Sequence, residues 1–424
     1  MILSALQNKR VAIWGMGKEG KATHALLKKH FPDKDIIIIN RDKPDGVDNY
    51  IREADIEKHL NNFDVVIKSP GISYYHEMVG KMRDAGIEIT SATNIWFAMP
   101  RKGKIVAITG SNGKSTTSAL LHHILAGLGL DAELGGNIGK PLLSLRDNAD
   151  YYVVELSSYQ TCDLHYAPDI AVVLNLHPEH LQWHRSHAQY YHDKCNLLRR
   201  GAPINIVNAN EPRLADTENK VVFNSRNAIY FEGGMIYNSY MPVGGSAKFP
   251  LLGDHNLENL CAALTVCQKL GLVITEALRQ SYTFTGLRHR LQIVGPINGH
   301  FYVNDSISTD PEASIAALKA LHDKQITLLL GGEDRKQDYS ALCKLIDENE
   351  NVNVICSYTT GPRIYETLNT PRKEMAANLE EAVKKAKEIT PEGGYILLSP
   401  ASPSYDAFHD FEERGDLFLN HADT

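Results

Sequence analysis

From end to end the chain alternates short apolar runs with longer helix-like stretches. The runs are RVAIW, DIIIIN, DVVIKSP, IVAITG, YYVVEL, IAVVLNL, INIVNAN, HFYVND, ITLLLGG, NVNVICSY and YILLSP. Strand-like runs separated by helical segments predict an α/β protein with largely parallel sheets. No repeat period or low-complexity tract interrupts the alternation. Two seams do: the Pro/Lys-rich MPRKGK, and TFTGLRHRLQ, where a helical stretch gives way to a new strand. They divide the 424 residues near 100 and 286, more chain than one core holds. Three α/β domains are expected, 1–99, 100–285 and 286–424.

Composition narrows the class. The chain is 43% apolar and 22% charged, with a formal net charge of −7, which is not the balance of a basic protein made for nucleic acid. No apolar stretch approaches the ~20 residues that span a bilayer, and MILSALQNKRVAIWG runs into a strand without a charged leader. A soluble, cytoplasmic monomer with neither a nucleic-acid nor a membrane partner is expected. Cys162, Cys195, Cys261, Cys267, Cys343 and Cys356 are scattered with no C-x-x-C pair, so buried reduced thiols are expected.

After RVAIW comes Gly15-Met16-Gly17-Lys18-Glu19-Gly20, a G-x-G-x-x-G whose glycines let backbone amides and a helix amino terminus approach a phosphate. A dinucleotide site normally ends its second strand on an acidic residue that holds the ribose. Here that strand ends at Asn40, with Asp42 two residues on. NAD, a different nucleotide and a purely structural turn all remain open at this point. A second turn, Lys68-Ser69-Pro70-Gly71-Ile72, also follows a strand, where ligands collect in open sheets.

The strand IVAIT leads into Gly110-Ser111-Asn112-Gly113-Lys114-Ser115-Thr116. A standard phosphate loop, G-x-x-x-x-G-K-[ST], needs a glycine where this chain has Ile108, so the loop is a shortened one. Amides through Gly113 can ring the phosphates, Lys114 can reach the outer ones, and Ser115 can offer a hydroxyl to magnesium. A glycine turn capped by Ser115 leaves that lysine unexplained, so ATP or another triphosphate with Mg²⁺ is implied. Two further strand ends supply Glu155 and, past Asn175, His177, Glu179 and His180. In a parallel sheet these lie beside the phosphate loop, where Glu155 and His180 can reach a magnesium ion. HPEHLQWHRSH lacks the H-E-x-x-H of a zinc site, and His184 and His187 read as helix-surface residues.

Together these residues resemble the ATP-dependent Mur ligases of peptidoglycan precursor synthesis, which share the loop T-G-[ST]-N-G-K-[ST]. The resemblance extends in family order through Gly136-Asn137-Ile138-Gly139, Glu155-Leu156-Ser157-Ser158-Tyr159-Gln160, Asn175 to His180, Lys194, Gly253-Asp254-His255-Asn256 with Asn259, His289-Arg290, Asn304-Asp305-Ser306, Gly331-Gly332 and Leu398-Ser399-Pro400-Ala401. It implies a Rossmann-like N-terminal domain for the UDP group, a central P-loop ATPase-like domain for ATP, and a mobile, Rossmann-like C-terminal domain that brings the amino acid. The segments SPGI, ELSSYQ, FTGLRHR and LSPASPSYDAFHDFEERGDLF look like the branch that adds glutamate to UDP-N-acetylmuramoyl-L-alanine. That likeness accounts for the first glycine motif without NAD.

Residue roles follow as implications of the resemblance. Gly15, Gly17, Asn40, Ser69, Pro70, Gly71 and Asn137 would bind the UDP substrate. Gly110 to Thr116, Asn256, Arg290 and Asp305 would bind ATP, the last two from the seam between domains. Lys114, His180 and Lys194 would be catalytic. Ser115 or Thr116 with Glu155 would hold a first magnesium and His180 a second, with Lys194 carbamylated into an anion that helps bind metal. Thr309, Arg335, Ser404 and Phe411 would surround the glutamate. Where the D-glutamate branch continues Asn-Asp-Ser with lysine, alanine, threonine and asparagine, this chain has Ile307, Ser308, Thr309 and Asp310, then Pro311; the lysine expected after Gly331-Gly332 is Arg335, or Lys336 if offset by one. Arginine differs from lysine in shape and bonding directions. VNDSIST, NLHPEHLQWH and AIWGMGKEG resemble the L-glutamate-adding branch, with D-glutamate addition as the alternative. A folate polyglutamylating ligase shares the loop, but the UDP-type first domain and LSPA argue against it. A nucleotide-binding regulator would be expected to lack one of Lys114, Glu155, His180 or Lys194.

Overall fold

Aliphatic runs without a polar break bury both faces of a strand only where helices cover both sides of a sheet. The computed structural model describes residues 3–251 and 253–423 and contains three such sheets. The first comprises β1 (Val11–Trp14), β2 (Ile36–Asn40), β3 (Tyr50–Arg52), β4 (Val65–Lys68) and β5 (Glu88–Thr90), ordered β3-β2-β1-β4-β5. All its neighbours are parallel. Ala12 and Trp14 face one buried cluster and Val11 and Ile13 another, which is why the run reads as continuously apolar. The order reverses between β1 and β4, opening a crevice at their carboxyl ends.

The second sheet comprises β6 (Lys104–Thr109), β7 (Ala132–Gly136), β8 (Tyr151–Glu155), β9 (Ile170–Val173), β10 (Ile204–Asn208), β11 (Lys220–Phe223), β12 (Ile229–Glu232), β13 (Met235–Asn238) and β14 (Met241–Gly245). Its order is β14-β13-β12-β11-β10-β9-β6-β8-β7. It is parallel from β7 to β12 and ends in an antiparallel meander. Ile108 of β6 lies level with Glu155 of β8 and Val172 of β9, so the three following loops leave from one edge.

The third sheet comprises β15 (Gln292–Ile297), β16 (His300–Asn304), β17 (Ile326–Leu330), β18 (Val352–Cys356), β19 (Lys373–Met375) and β20 (Tyr395–Leu398), ordered β15-β16-β20-β17-β18-β19. Only the β15–β16 pair is antiparallel. The chain forms two compact units: Met1–Phe249 with Asp254–Phe284 carries the first two sheets, and Pro250–Gly253 with Thr285–Thr424 carries the third. Every strand expected from the apolar runs is present. The α/β class with largely parallel sheets is therefore the observed one.

Gly113 caps the helix Lys114–Gly127 at φ 80°, a left-handed conformation, and a Cβ there would collide with the Asn259 side chain. Gly113→Ala should therefore lower stability by about 1 to 3 kcal/mol. A lower urea midpoint with an unchanged slope would show it; an unchanged midpoint would mean the loop relaxes freely.

Candidate active site

The crevice of the first sheet brings two of the expected turns together. The Ser69 hydroxyl donates to the Gly15 carbonyl at 2.9 Å, and the Ser69 amide donates to the Trp14 carbonyl at 2.9 Å. Gly17 caps the helix Lys18–His30, Pro70 and Gly71 lie on the second turn, and Asn40 ends β2 with its amide on the Asp42 carbonyl at 2.9 Å. Behind the second turn the buried Lys68 ammonium donates to the Ile72 carbonyl at 2.9 Å, and burial pulls its pKa down. Glu19, at the start of the helix, accepts from the Gln160 amide at 2.7 Å, and burial pushes its carboxyl up to about 7.

The shortened loop is braced by the turn after β9. The amide of Asn112 donates to Asn175 Oδ1 at 2.8 Å, and Asn175 Nδ2 donates back to the Asn112 carbonyl at 3.1 Å. The Ser111 hydroxyl donates to the His177 carbonyl at 2.7 Å and shares a 2.7 Å hydrogen bond with the Tyr190 hydroxyl. Lys114 folds over its own loop, donating to the Ser111 carbonyl at 2.6 Å. Ser115 and Thr116 stand half-buried in the first helical turn. Asn259 packs against Gly113 and donates to Asn256 Oδ1 at 3.2 Å, which places Asn256 beside the loop.

Beside that loop sit the remaining central residues. Glu155 is fully buried; its Oε1 accepts from Asn137 Nδ2 at 2.7 Å, while its Oε2 has no hydrogen-bond partner. Lys194 is 1% exposed and donates to the Gly110 carbonyl at 2.7 Å, so it is no surface lysine. Burial, aided by the Lys114 charge, lowers its pKa to about 7. His180 is exposed at φ 52°, and partial burial together with Lys194 and Lys114 lowers its imidazole below the usual value, against the pull of Glu179. An unpartnered buried carboxylate oxygen is costly unless a cation or proton reaches it. Glu155 thus fits a magnesium ligand. Among the described residues no group of three or more His, Cys, Asp or Glu gathers as a ready-made metal cage.

One expectation is overturned. His184 is not a helix-surface residue: it is fully buried, with Nδ1 on Asp193 Oδ2 at 2.6 Å and Nε2 on Ser158 Oγ at 2.9 Å. The local pattern could not show this, because both partners come from other helices. His187 is exposed, as expected. All six cysteines are free; Cys162 and Cys195 are only partly buried, so the expected burial holds for the other four.

In the other unit the expected residues gather at the carboxyl edge of the third sheet, after β16, β17 and β20. Asp305 is buried and accepts from the Leu291 amide at 3.0 Å, Ser308 Oγ at 2.5 Å and Ser399 Oγ at 2.8 Å; burial nonetheless pushes its carboxyl to about 6. Arg290 is exposed. The Thr309 carbonyl accepts from Gln337 at 3.0 Å, and exposed Arg335 lies over the Tyr405 ring while bonding Glu333 at 3.1 Å. Ser404 is buried, and Phe411 opens the last helix with its carbonyl on the Ser306 hydroxyl at 2.8 Å. Sequence reasoning passed over Arg414, a buried guanidinium that donates to Ser306 and to the Ser402 carbonyl. It lies inside the quoted FHDFEERGDLF segment, but nothing in its local pattern marks it as buried.

Comparison with known proteins agrees with this arrangement. Residues 108–267 match the Mur ligase middle domain and residues 289–402 the Mur ligase glutamate ligase domain. A UDP-N-acetylmuramoyl-L-alanine--L-glutamate ligase from Xanthomonas axonopodis pv. citri is 36% identical, covering 99% of this chain and 96% of that relative. One of the same name from Salinispora tropica is 37% identical, covering 99% and 98%. Among solved structures, MurF from Acinetobacter baumannii superposes with a TM-score of 0.62 at 18% identity, covering 98% of this chain and 90% of that one. MurC from Thermotoga maritima gives 0.60 at 17%, covering 97% and 99%. The fold is shared at that distance, and the full-length identity above a third, with the shortened loop and both matched domains, leaves one conclusion: the chain belongs to the Mur ligase family.

Proposed function

We propose that this protein is an ATP-dependent, ADP-forming ligase that joins glutamate, with the L enantiomer preferred, to the alanyl carboxylate of UDP-N-acetylmuramoyl-L-alanine in peptidoglycan precursor synthesis. The observation that carries the reading is the likeness along 99% of the chain to relatives named as L-glutamate-adding ligases. A carboxylate resists attack by an amine. Transfer of the γ-phosphoryl group to the alanyl carboxylate gives an acyl phosphate and ADP; the glutamate amine then attacks the carbonyl carbon, loses a proton, and inorganic phosphate leaves.

In this reading the amides of Gly110 to Gly113 hold the phosphates and Lys114 neutralises charge on the moving phosphoryl group. Magnesium, held by Ser115 or Thr116, Glu155, His180 and a carbamylated Lys194 in two sites, would supply electrostatic neutralisation of the triphosphate. A plain ammonium cannot serve there, whereas a carbamate can, and the lowered pKa of Lys194 favours the neutral amine that takes up carbon dioxide. Domain 1–99 would bind the UDP group through the Gly15 and Ser69 turns, domain 100–285 the ATP, and domain 286–424 the amino acid through Thr309, Arg335, Ser404 and Phe411. A substrate made of a nucleotide sugar supports a cytoplasmic, monomeric enzyme in this reading.

The L preference is supported by Ile307, which stands where the D-glutamate pattern has lysine, and by Arg335 where that pattern's second lysine is expected, unless Lys336 fills that place one residue on. Purified enzyme given UDP-N-acetylmuramoyl-L-alanine, MgATP and each enantiomer separately should release phosphate much faster with L-glutamate. Preference for D-glutamate would reverse the branch and leave the ligase standing; turnover only with a folate acceptor would reject both.

A further inference from the structure

A chain of short hydrogen bonds, part-buried at Tyr75 and Gln189 and buried at His184, joins the loop after β4 to the segment that carries Lys194. The Tyr75 hydroxyl donates to Asp193 Oδ1 at 2.6 Å, and Gln189 Nε2 donates both to that hydroxyl at 2.6 Å and to Asp193 Oδ1 at 2.8 Å. The other carboxylate oxygen of Asp193 holds His184 Nδ1 at 2.6 Å, whose Nε2 meets Ser158 Oγ at 2.9 Å. Ser158, His184, Asp193 and Lys194 are each no more than 3% exposed. Two further contacts seat the same loop: Ser73 Oγ donates to the Trp183 carbonyl at 2.8 Å, and the Tyr75 ring meets Trp183 edge-on.

The order of these residues in the chain gives the network its meaning. Ser158 lies three residues after Glu155, and Asp193 immediately precedes Lys194. His184 therefore ties the turn that follows the Glu155 strand to the end of the helix His187–Lys194, and Tyr75 completes the Asp193 carboxylate from the loop that continues the Ser69–Ile72 turn. A serine, histidine and aspartate in this order resemble an acyl-transfer triad, but no substrate reaches a hydroxyl this buried. What the network can do is hold two ligand-bearing segments at fixed spacing, the task of partners outside a metal's own ligands.

We propose that Tyr75 is a positioning residue of the ligase reaction: acting through Asp193 and His184, it fixes Lys194 against Glu155 and links the loop carrying the UDP-substrate turn to that spacing. The inference rests on the ligase reading above.

Tyr75→Phe removes one oxygen and keeps the ring that packs on Trp183, so the variant folds. In the full-length enzyme with UDP-N-acetylmuramoyl-L-alanine, MgATP and L-glutamate, kcat should fall about 10- to 100-fold while KM for ATP stays within about 2-fold. Asp193→Asn should lower kcat similarly, and the Tyr75→Phe, Asp193→Asn double variant should be no slower than Asp193→Asn alone. Multiplying losses, an unchanged kcat, or a loss confined to KM for the UDP substrate would each overturn the proposal. A second readout does not depend on turnover: NMR of enzyme equilibrated with ¹³C-bicarbonate should show less carbamate at Lys194 in Tyr75→Phe than in the parent, and equal incorporation would count against the placement role. A parent enzyme that takes up label but releases no phosphate with either glutamate would refute the ligase reading instead.

Discussion

Lys114→Ala is expected to lower ATP-dependent phosphate release by about 100-fold or more, the cost of deleting one preorganised transition-state donor, while leaving the fold and UDP-substrate binding intact. The side chain starts the helix Lys114–Gly127 and bends back over the loop to the Ser111 carbonyl. The loop has independent bracing from Asn175, His177 and Tyr190, so removing the lysine takes away charge rather than shape. The turns at Gly15 and Ser69, proposed above to hold the UDP substrate, belong to another sheet. A phosphate-release assay beside calorimetry of UDP-substrate binding separates the two effects. Near-normal release would show that the loop does not handle the phosphates.

Lys194→Ala should be inactive under standard conditions and partly restored by a short carboxylate such as formate, because the missing element is an anion at a buried position. The physical basis is the lysine's surroundings. Burial and the Lys114 charge bring the amine from its ordinary 10.5 down to about 7. Only the neutral amine has the lone pair that captures carbon dioxide, so bicarbonate-dependent activation of the parent enzyme should rise as pH climbs through about 7. The sign for stability is the same. Between about 7 and 10.5 the folded lysine is neutral while the unfolded one still binds a proton, so stability should rise with pH across that window. Below it both states are protonated and the gain is lost. Full activity of Lys194→Ala in bicarbonate-free buffer would remove the lysine from the metal site, and a flat bicarbonate response across about pH 6 to 8 would remove the carbamate.

The Tyr75 network shows why some of this site was legible and some was not. Ser111, Gly113, Lys114, Glu155 and His180 could be singled out as candidates because a glycine-rich loop with a lysine is a local device: the glycines, the lysine and the strand before them lie within one short segment, and parallel strand ends bring the other residues to it. His184 could not. Its neighbours in sequence describe a helix surface, whereas its burial comes from Ser158 and Asp193, 26 and 9 residues away. Arg414 went unnoticed for the same reason, since its acceptors are on Ser306 and Ser402.

By itself the sequence determined the α/β class, the strands buried on both faces and the family, all of which depend on local apolar runs and ordered motifs. It did not show β3, β5, β7, β11 to β14 or β19. These are three to five residues long and mostly peripheral in their sheets, and several carry glycine, proline or charged side chains; pairing with a neighbour makes them strands, and pairing is not written in their own composition. Tertiary structure alone decided which charges are desolvated. Lys68, Glu19, Lys194 and Asp305 have depressed or raised pKa values because chain distant in sequence folds over them, and the free energy of a buried charge depends on everything that surrounds it rather than on the residue that bears it.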